Sequence, residues 1–263
     1  MHMDDNGLRR LQLVKLDMLK NLISVLERHR LSWFADGGTL LGAVRNGGFI
    51  PWDDDIDICM PRSSYNDIRE IDTTEFHPYF LQWYGSDIDA ARGHVQMRRS
   101  DTTEILTVEM DRRGRPRFGF NQGAFIDIFP LDSTPVERVA DYGRLLAGLK
   151  KKALDSRGIA RECLNAQIKF DEAVSGITDS QNVDTMAVNY CPDHFTPASC
   201  YEESLKIGFE GVSIEVPIGY ECRLVHLYGP DWRTPKKLPT LHGETFVDLD
   251  HPYTHYVPMR YQG

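Results

Sequence analysis

Three consecutive aspartates, Asp53-Asp54-Asp55, run directly into Ile56-Asp57-Ile58-Cys59-Met60, where polar and apolar residues alternate. Alternation is the strand period, so Asp55 and Asp57 share one face of a predicted strand while Ile56 and Ile58 take the other. Cα atoms two apart in a strand lie roughly 6.5–7 Å from each other. Carboxylates so placed repel, and burial without a counter-charge pushes one toward its neutral form. A hard divalent cation removes the conflict. Magnesium takes oxygen ligands, one or two from protein carboxylates and the rest from water and phosphate. Ile126-Asp127-Ile128 repeats the pattern in a second predicted strand, residues 124–129, stopped by Pro130. If the two strands are neighbours, Asp127 completes a two-metal site that clamps the attacking and leaving oxygens of a phosphoryl transfer. The plain alternative is a solvated acidic turn; the apolar flanks and the Gly-rich turn upstream argue against it. A calcium loop fails, because Ile58 stands where that loop needs Gly and Ser64 where it needs a bidentate Glu.

Upstream, residues 31–35 read as a strand and Asp36-Gly37-Gly38-Thr39 as a turn into a short helix, residues 40–45, ended by Asn46-Gly47-Gly48. Backbone N–H groups at such a helix start can hold phosphate. The N-terminal residues 8–31 form an amphipathic helix. Leu11, Val14, Met18, Leu22 and Val25 recur at helical spacing, and Arg9, Lys15, Lys20 and Glu27 are placed mostly on the other face. Its mixed charges and lack of aromatics favour core packing over a membrane-surface role. After Pro61, Ser63 or Ser64 would cap a helix running to Arg69. Further strands are expected at 80–84, 94–98 and 105–109, with a basic hairpin or loop at 111–117. Residues 135–174 carry a helical pattern broken near 156–158; a hairpin at 207–216 and a short helix at 220–228 follow. The chain is therefore α/β (α+β), with a catalytic core over 1–133 and a mostly helical, partly mixed portion over 134–263 that completes the site and binds acceptor.

A net charge of -9 argues against the clustered basic face of a duplex-binding protein, so no nucleic-acid partner is expected. Five widely spaced cysteines suit a reducing compartment better than a disulfide framework. No apolar run approaches the roughly 20 residues that span a bilayer, and Met1-His2-Met3-Asp4-Asp5 shows no secretory signal. A cytoplasmic location is expected. Lys150-Lys151-Lys152 reads as a solvated helix end, and it is also suited to peripheral contact with an anionic membrane or polyanionic glycan.

Arg45 and Arg98 are candidates for donor phosphate, since the guanidinium fork matches phosphate oxygens. Trp52, beside the acidic run, is a candidate for substrate contact, whereas Trp33 and Trp83 read as core. Cys191, His194, Cys222 and His226 lack the tight paired spacing of structural zinc. His251 and His255 follow loop-like residues and are not expected to bind metal.

The run from Asp36-Gly-Gly-Thr through Gly48-Phe-Ile-Pro-Trp-Asp-Asp-Asp-Ile-Asp-Ile58 closely resembles the signature of the LicD family, a group that includes fukutin and fukutin-related protein. The likeness continues through Arg98-Arg-Ser-Asp-Thr-Thr103 and Phe125-Ile-Asp-Ile-Phe-Pro-Leu-Asp132. It extends to Phe209-Glu-Gly-Val-Ser-Ile-Glu-Val-Pro217 and Leu227-Tyr-Gly-Pro-Asp-Trp232. The resemblance covers about residues 30–240 and is most specific at Trp52 to Ile58; residues 150–201 and the tail after Trp232 match nothing familiar. It implies a polymerase-β-like nucleotidyltransferase core with a mixed sheet. It also implies transfer of phosphocholine, glycerol phosphate or ribitol phosphate from a CDP-activated donor to a hydroxyl of a glycan or lipid-linked glycan, with release of CMP. On matching positions Asp55 and Asp57 would hold Mg2+ or Mn2+, and Asp127 would be a third ligand or the base. Asp53 and Asp54 would lie behind these or bind a more exposed metal, and Gly38 and Thr39 would line the donor phosphates. Two rivals use the same sequence: a nucleotidyltransferase that hands a nucleoside monophosphate to a small acceptor, and an inactive nucleotide- or glycan-binding module.

Overall fold

The structure is a computed structural model that describes residues 5–87, 90, 93–133, 181–185, 195–237 and 244–257. Helix α1 (Asp5–His29) packs on a mixed sheet built from β1 (Phe34–Ala35), β2 (Asp57–Pro61), β3 (Phe80–Gln82), β4 (Val95–Arg99) and β6 (Ala124–Ser133), in the order β1-β2-β6-β4-β3. The β2–β6 pair is parallel and the other pairs on this path are antiparallel. The end of β6 pairs antiparallel with β7 (Asn182–Asp184), which in turn pairs β8 (Thr196–Pro197). Helices α2 (Gly37–Asn46) and α3 (Arg62–Ile68) flank β2. Beyond the main sheet, β5 (Thr103–Leu106) pairs β11 (Thr245–Asp248), and β9 (Ser204–Phe209) forms a hairpin with β10 (Val212–Pro217), followed by α4 (Tyr220–Tyr228).

The core forms where the apolar stripe of α1 meets one face of the sheet. Leu11, Met18, Leu22 and Val25 are buried against Ile56, Ile58, Met60, Ile126, Ile128, Val95 and Met97. Because side chains alternate along each strand, burying the isoleucines turns Asp57 and Asp127 to the other face. Cys59, Phe129 and Leu131 lie further along that second face, in a smaller cluster with Phe34 and Val183.

Several expectations are corrected. Strand β2 starts at Asp57, and Asp55 precedes it outside the ladder. Aspartate is a poor strand former, and three in succession keep the backbone out of the sheet. Lys15, placed on the polar face of α1, is completely buried in an ion pair with Glu104, its Nζ 2.8 Å from the carboxylate. It lies four residues after Leu11 on the same helical stripe, so the sheet covers it. The residue capping α3 is Pro61; Ser64 instead accepts a hydrogen bond from the Ser32 amide. The first strand is confined to Phe34–Ala35. The hairpin read near 207–216 and the helix at 220–228 are present as β9–β10 and α4. The helical pattern at 135–174, Lys150-Lys151-Lys152, Cys191 and His194 lie outside the described residues. No described helix is long and apolar enough to cross a membrane.

Candidate active site

Pairing across the sheet sets the site. Asp57 on β2 is the register partner of Asp127 on β6, Asp127 is the partner of Gln96 on β4, and Gln96 is the partner of Gln82 on β3. Adjacent strands lie about 4.8 Å apart, so four polar side chains form one row on the face opposite the core. His94 Nε2 and Gln96 Nε2 lie 2.8 and 2.5 Å from Asp127 Oδ1. Behind Gln96, Arg98 donates to Gln96 Oε1, Gln82 Oε1 and the Gly123 carbonyl. A chain of hydrogen bonds thus orients the Asp127 carboxylate from the buried guanidinium outward.

The acidic loop sits next to this row. Oxygens of Asp53, Asp54 and Asp55 lie within 4.8 Å of one another, a grouping able to hold a cation. The backbone is fixed by Gln12, whose amide donates to the Asp53 carbonyl at 2.9 Å, and by the Asp53 amide bonding to the Ile50 carbonyl. Thr245 on β11 donates to Asp54 Oδ2 at 3.4 Å. Beneath the loop, the Lys15 ammonium remains protonated. Burial works against its charge, but Glu104, Asp54 and Asp55 together outweigh that cost.

The glycines that open α2 have a steric reason. A Cβ on Gly38 would stand 2.3 Å from Asp53 Oδ2, and one on Gly37 would stand 2.6 Å from Asp57 Oδ2. Gly37 also adopts φ +54°, which side-chain-bearing residues rarely do. The carboxylates therefore press against the positive end of a helix, where anions are favoured. The preceding Asp36 is anchored by Arg223 of α4. The guanidinium donates to both Asp36 oxygens, at 2.9 and 2.7 Å, and also to Thr196 Oγ1 at 3.2 Å.

So much negative charge in one place raises proton affinities. Burial, then Asp55 and Asp54, push the Asp53 carboxyl up to about 8, with Lys15 opposing. Burial followed by Asp55, Asp127 and Asp53 holds the Asp57 carboxyl well above the usual carboxylate range. The Tyr228 phenol is raised by burial, then by Asp57, Asp36, Asp53 and Asp55, which keeps it a hydrogen-bond donor beside the cluster. A crowded set of hard oxygens, short of positive charge, is a chemical fit for a divalent cation.

The structure brings together Asp53, Asp55, Asp57, Asp127 and Gly38. Asp54, expected beside Asp53, lies in the same acidic group, and the structure adds His94, Gln96, Lys15, Arg223 and Tyr228 around it. The alternation His94-Val95-Gln96-Met97-Arg98 was the available signal for His94 and Gln96. Other donor-binding expectations move. Arg98 is 1% exposed and lies 4.6 Å from the Phe125 ring centre, so it supports the row from behind instead of reaching phosphate. Thr39 is buried and its hydroxyl accepts from the Asp57 amide at 2.9 Å, fixing the start of β2. Arg45 lies at the other end of α2, about 12 Å along the axis from Gly37 by the helical rise, and donates to Asn46 Oδ1 and the Trp232 carbonyl. Trp52 is half-buried against the core. Cys222 and His226 are one helical turn apart, His226 Nδ1 lying 2.8 Å from the Cys222 carbonyl. His251 pairs with Asp248.

Residues 30–141 match the family described as LicD/FKTN/FKRP, nucleotidyltransferase domain. That stretch of the chain is similar to a LicD-family nucleotidyltransferase domain. It is 36% identical over 130 residues to the lipopolysaccharide cholinephosphotransferase LicD of Haemophilus influenzae, covering 49% of this chain and 46% of that protein. An uncharacterised protein of Rickettsia prowazekii is 42% identical over 53 residues, 20% of this chain and 19% of that one. The chain thus spans less than half the length of the curated relatives it matches. The matched residues contain the acidic loop, Asp127, and His94 and Gln96, which hydrogen-bond to it.

Proposed function

We propose that this chain is a metal-dependent phosphotransferase that moves a phosphoalcohol from a CDP-activated donor to a hydroxyl of a glycan or lipid-linked glycan. The observation that carries the reading is the pairing of Asp57 with Asp127 across parallel strands beside the Asp53–Asp54–Asp55 group. Similarity to a lipopolysaccharide cholinephosphotransferase supports phosphocholine or a related phosphoalcohol as the transferred group.

In this reading Asp53, Asp55, Asp57 and Asp127 hold Mg2+ or Mn2+. Bound there, the metal would neutralise the donor pyrophosphate and the charge that builds on its leaving oxygen. The acceptor oxygen attacks the phosphorus that bears the alcohol. The P–O bond to CMP breaks, and CMP leaves with the bridging oxygen. Asp127, oriented by His94 and Gln96, accepts the proton released by the acceptor hydroxyl. Gly37 and Gly38 allow donor and carboxylates to crowd the start of α2, and Tyr228 donates toward the charge gathered there.

The test is product release. The protein and magnesium are incubated separately with CDP-choline, CDP-glycerol, CDP-ribitol and nucleoside triphosphates, with and without candidate glycans, and products are read by mass. CMP from one CDP donor is expected. Pyrophosphate from a triphosphate would replace this reading with nucleotidyl transfer, and tight nucleotide binding without turnover would replace it with a binding module.

A further inference from the structure

Residues 107–118 leave β5 next to the acidic loop and fold back as a short hairpin. Met110 bridges Pro116, Arg117 donates its amide to the Glu109 carbonyl at 2.9 Å, and Asp111 donates its amide to the Arg115 carbonyl at 2.8 Å. Gly114 turns the tip at φ +70°. The Asp111 carboxylate is consumed inside the hairpin: it accepts from the Arg113 and Arg115 amides and from the Arg115 guanidinium. Arg112, Arg113, Arg115 and Arg117 are all exposed, and the guanidiniums of Arg112 and Arg113 have no partner among the described residues. Val108, at the base of the same hairpin, is 67% exposed, more than any other large apolar side chain described.

Four exposed arginines within six residues are out of keeping with a chain of net charge -9. We propose that this arginine hairpin docks the protein peripherally on an anionic lipid bilayer, with the guanidiniums on lipid phosphates and Val108 entering the interface. Basic side chains near an anionic leaflet each strengthen binding about fivefold, and an apolar side chain supplies the second signal that stable attachment needs. The arginines are all exposed around the turn at Gly114. A glycan or nucleotide is bound in a concavity, and the cavities lined by Arg9, Phe49 and Glu210 and by Trp33, Tyr201 and Lys206 lie elsewhere. The hairpin's position adds a consequence. Thr107 donates its amide to the Glu244 carbonyl, and the adjoining Thr245 contacts Asp54. Docking through residues 107–118 therefore sets the acidic loop beside the bilayer, where a lipid-linked substrate is held.

The experiment is flotation of the full chain with vesicles of phosphatidylcholine alone and with an equimolar mixture of phosphatidylcholine and phosphatidylglycerol. It uses no substrate, so it stands or falls apart from the transferase reading. Wild type floats with the mixed vesicles and not with the neutral ones, and added salt weakens the binding. R112E/R113E lowers partitioning by about 25-fold or more, two arginines at about fivefold each. Val108→Ser lowers it by a smaller factor, and K20E/K237E, equal in charge change but distant in sequence, leaves it near wild type. Thermal melts of all variants match wild type, since the altered side chains are exposed. The proposal is overturned if wild type ignores the mixed vesicles, if R112E/R113E floats as well as wild type, or if soluble dextran sulfate is bound while the vesicles are not.

Discussion

Asp57 and Asp127 stand opposite each other on adjacent parallel strands, in register, on the face of the sheet turned away from α1. In the metal-free protein this pairing is unfavourable, because burial and the neighbouring carboxylates all resist ionisation of Asp57. The Asp57→Asn substitution keeps the shape and removes one charge. Turnover is expected to fall about a thousandfold, the scale of losing a principal electrostatic contact to the transition state. The melting temperature without metal should hold or rise, because repulsion is relieved. CMP release together with a melt separates these effects; wild-type turnover in the variant would remove the carboxylate mechanism.

In the proposed reaction Gln96 is a positioning residue that acts through Asp127. Gln96→Leu preserves bulk but removes the N–H donor to Asp127 and the acceptor for Arg98. Losing the orienting bond should lower kcat by about 10–100-fold, while the KM for donor changes little. The stranded Arg98 N–H adds about 1–3 kcal/mol of destabilisation. An equal fall in kcat and in donor affinity would point to general disorder of the sheet instead of misorientation of one carboxylate.

Gly38 offers a cleaner division between function and stability. Its missing side chain makes room for Asp53, and the position is within a helix. Gly38→Ala gains up to about 1 kcal/mol of helix propensity but drives the Asp53 carboxylate from its place. The expected outcome is a melting temperature at or above wild type with metal affinity reduced at least tenfold, measured by calorimetric titration with Mg2+ or Mn2+. Unchanged metal binding would show that Asp53 is not part of the cation site.

Much of this arrangement was legible because it is local. The alternation in residues 55–60 and 124–129 put Asp57 and Asp127 away from the core, and turn chemistry marked α2 and the β9–β10 hairpin. Contacts between distant segments were not legible. Asp36 and Arg223 are 187 positions apart, and neither residue carries a local mark of its partner. Arg98 reads as a phosphate ligand by type, yet its position on β4 turns it into the polar row, where three acceptors enclose it. Lys15 reads as solvent-facing because lysine usually is, and only its burial opposite Glu104 reveals its place under the acidic loop.

That buried pair gives a double-mutant test. Lys15→Met leaves Glu104 in the core without its cation and should destabilise by about 3–5 kcal/mol. Replacing both, Lys15→Met with Glu104→Gln, removes the orphaned charge and should recover more than half of the loss. Denaturant unfolding of the two singles and the double gives the coupling directly. Additive losses would mean that the two side chains stabilise the fold independently.

Asp184 makes a contribution to the pH dependence that one substitution isolates. Its carboxylate is buried with an oxygen 3.5 Å from Arg223 Nη1, while Arg223 is already engaged by Asp36. Burial raises the Asp184 carboxyl from 3.8 to about 7, with Arg223 and the Thr185 amide opposing the rise. Between these values the folded protein keeps a proton that the unfolded chain has released. Stability from this group is therefore full below about pH 4 and declines as pH rises through about 7. The whole difference is at most about 4 kcal/mol. Asp184→Asn cannot ionise and escapes the decline, so its stability relative to wild type should improve from pH 5 to about pH 7 and level off by about pH 8. Unfolding free energies measured across that window decide the matter. A difference between variant and wild type that stays constant, or moves the other way, would mean that Asp184 is already ionised in the fold and that Arg223 serves both carboxylates at once.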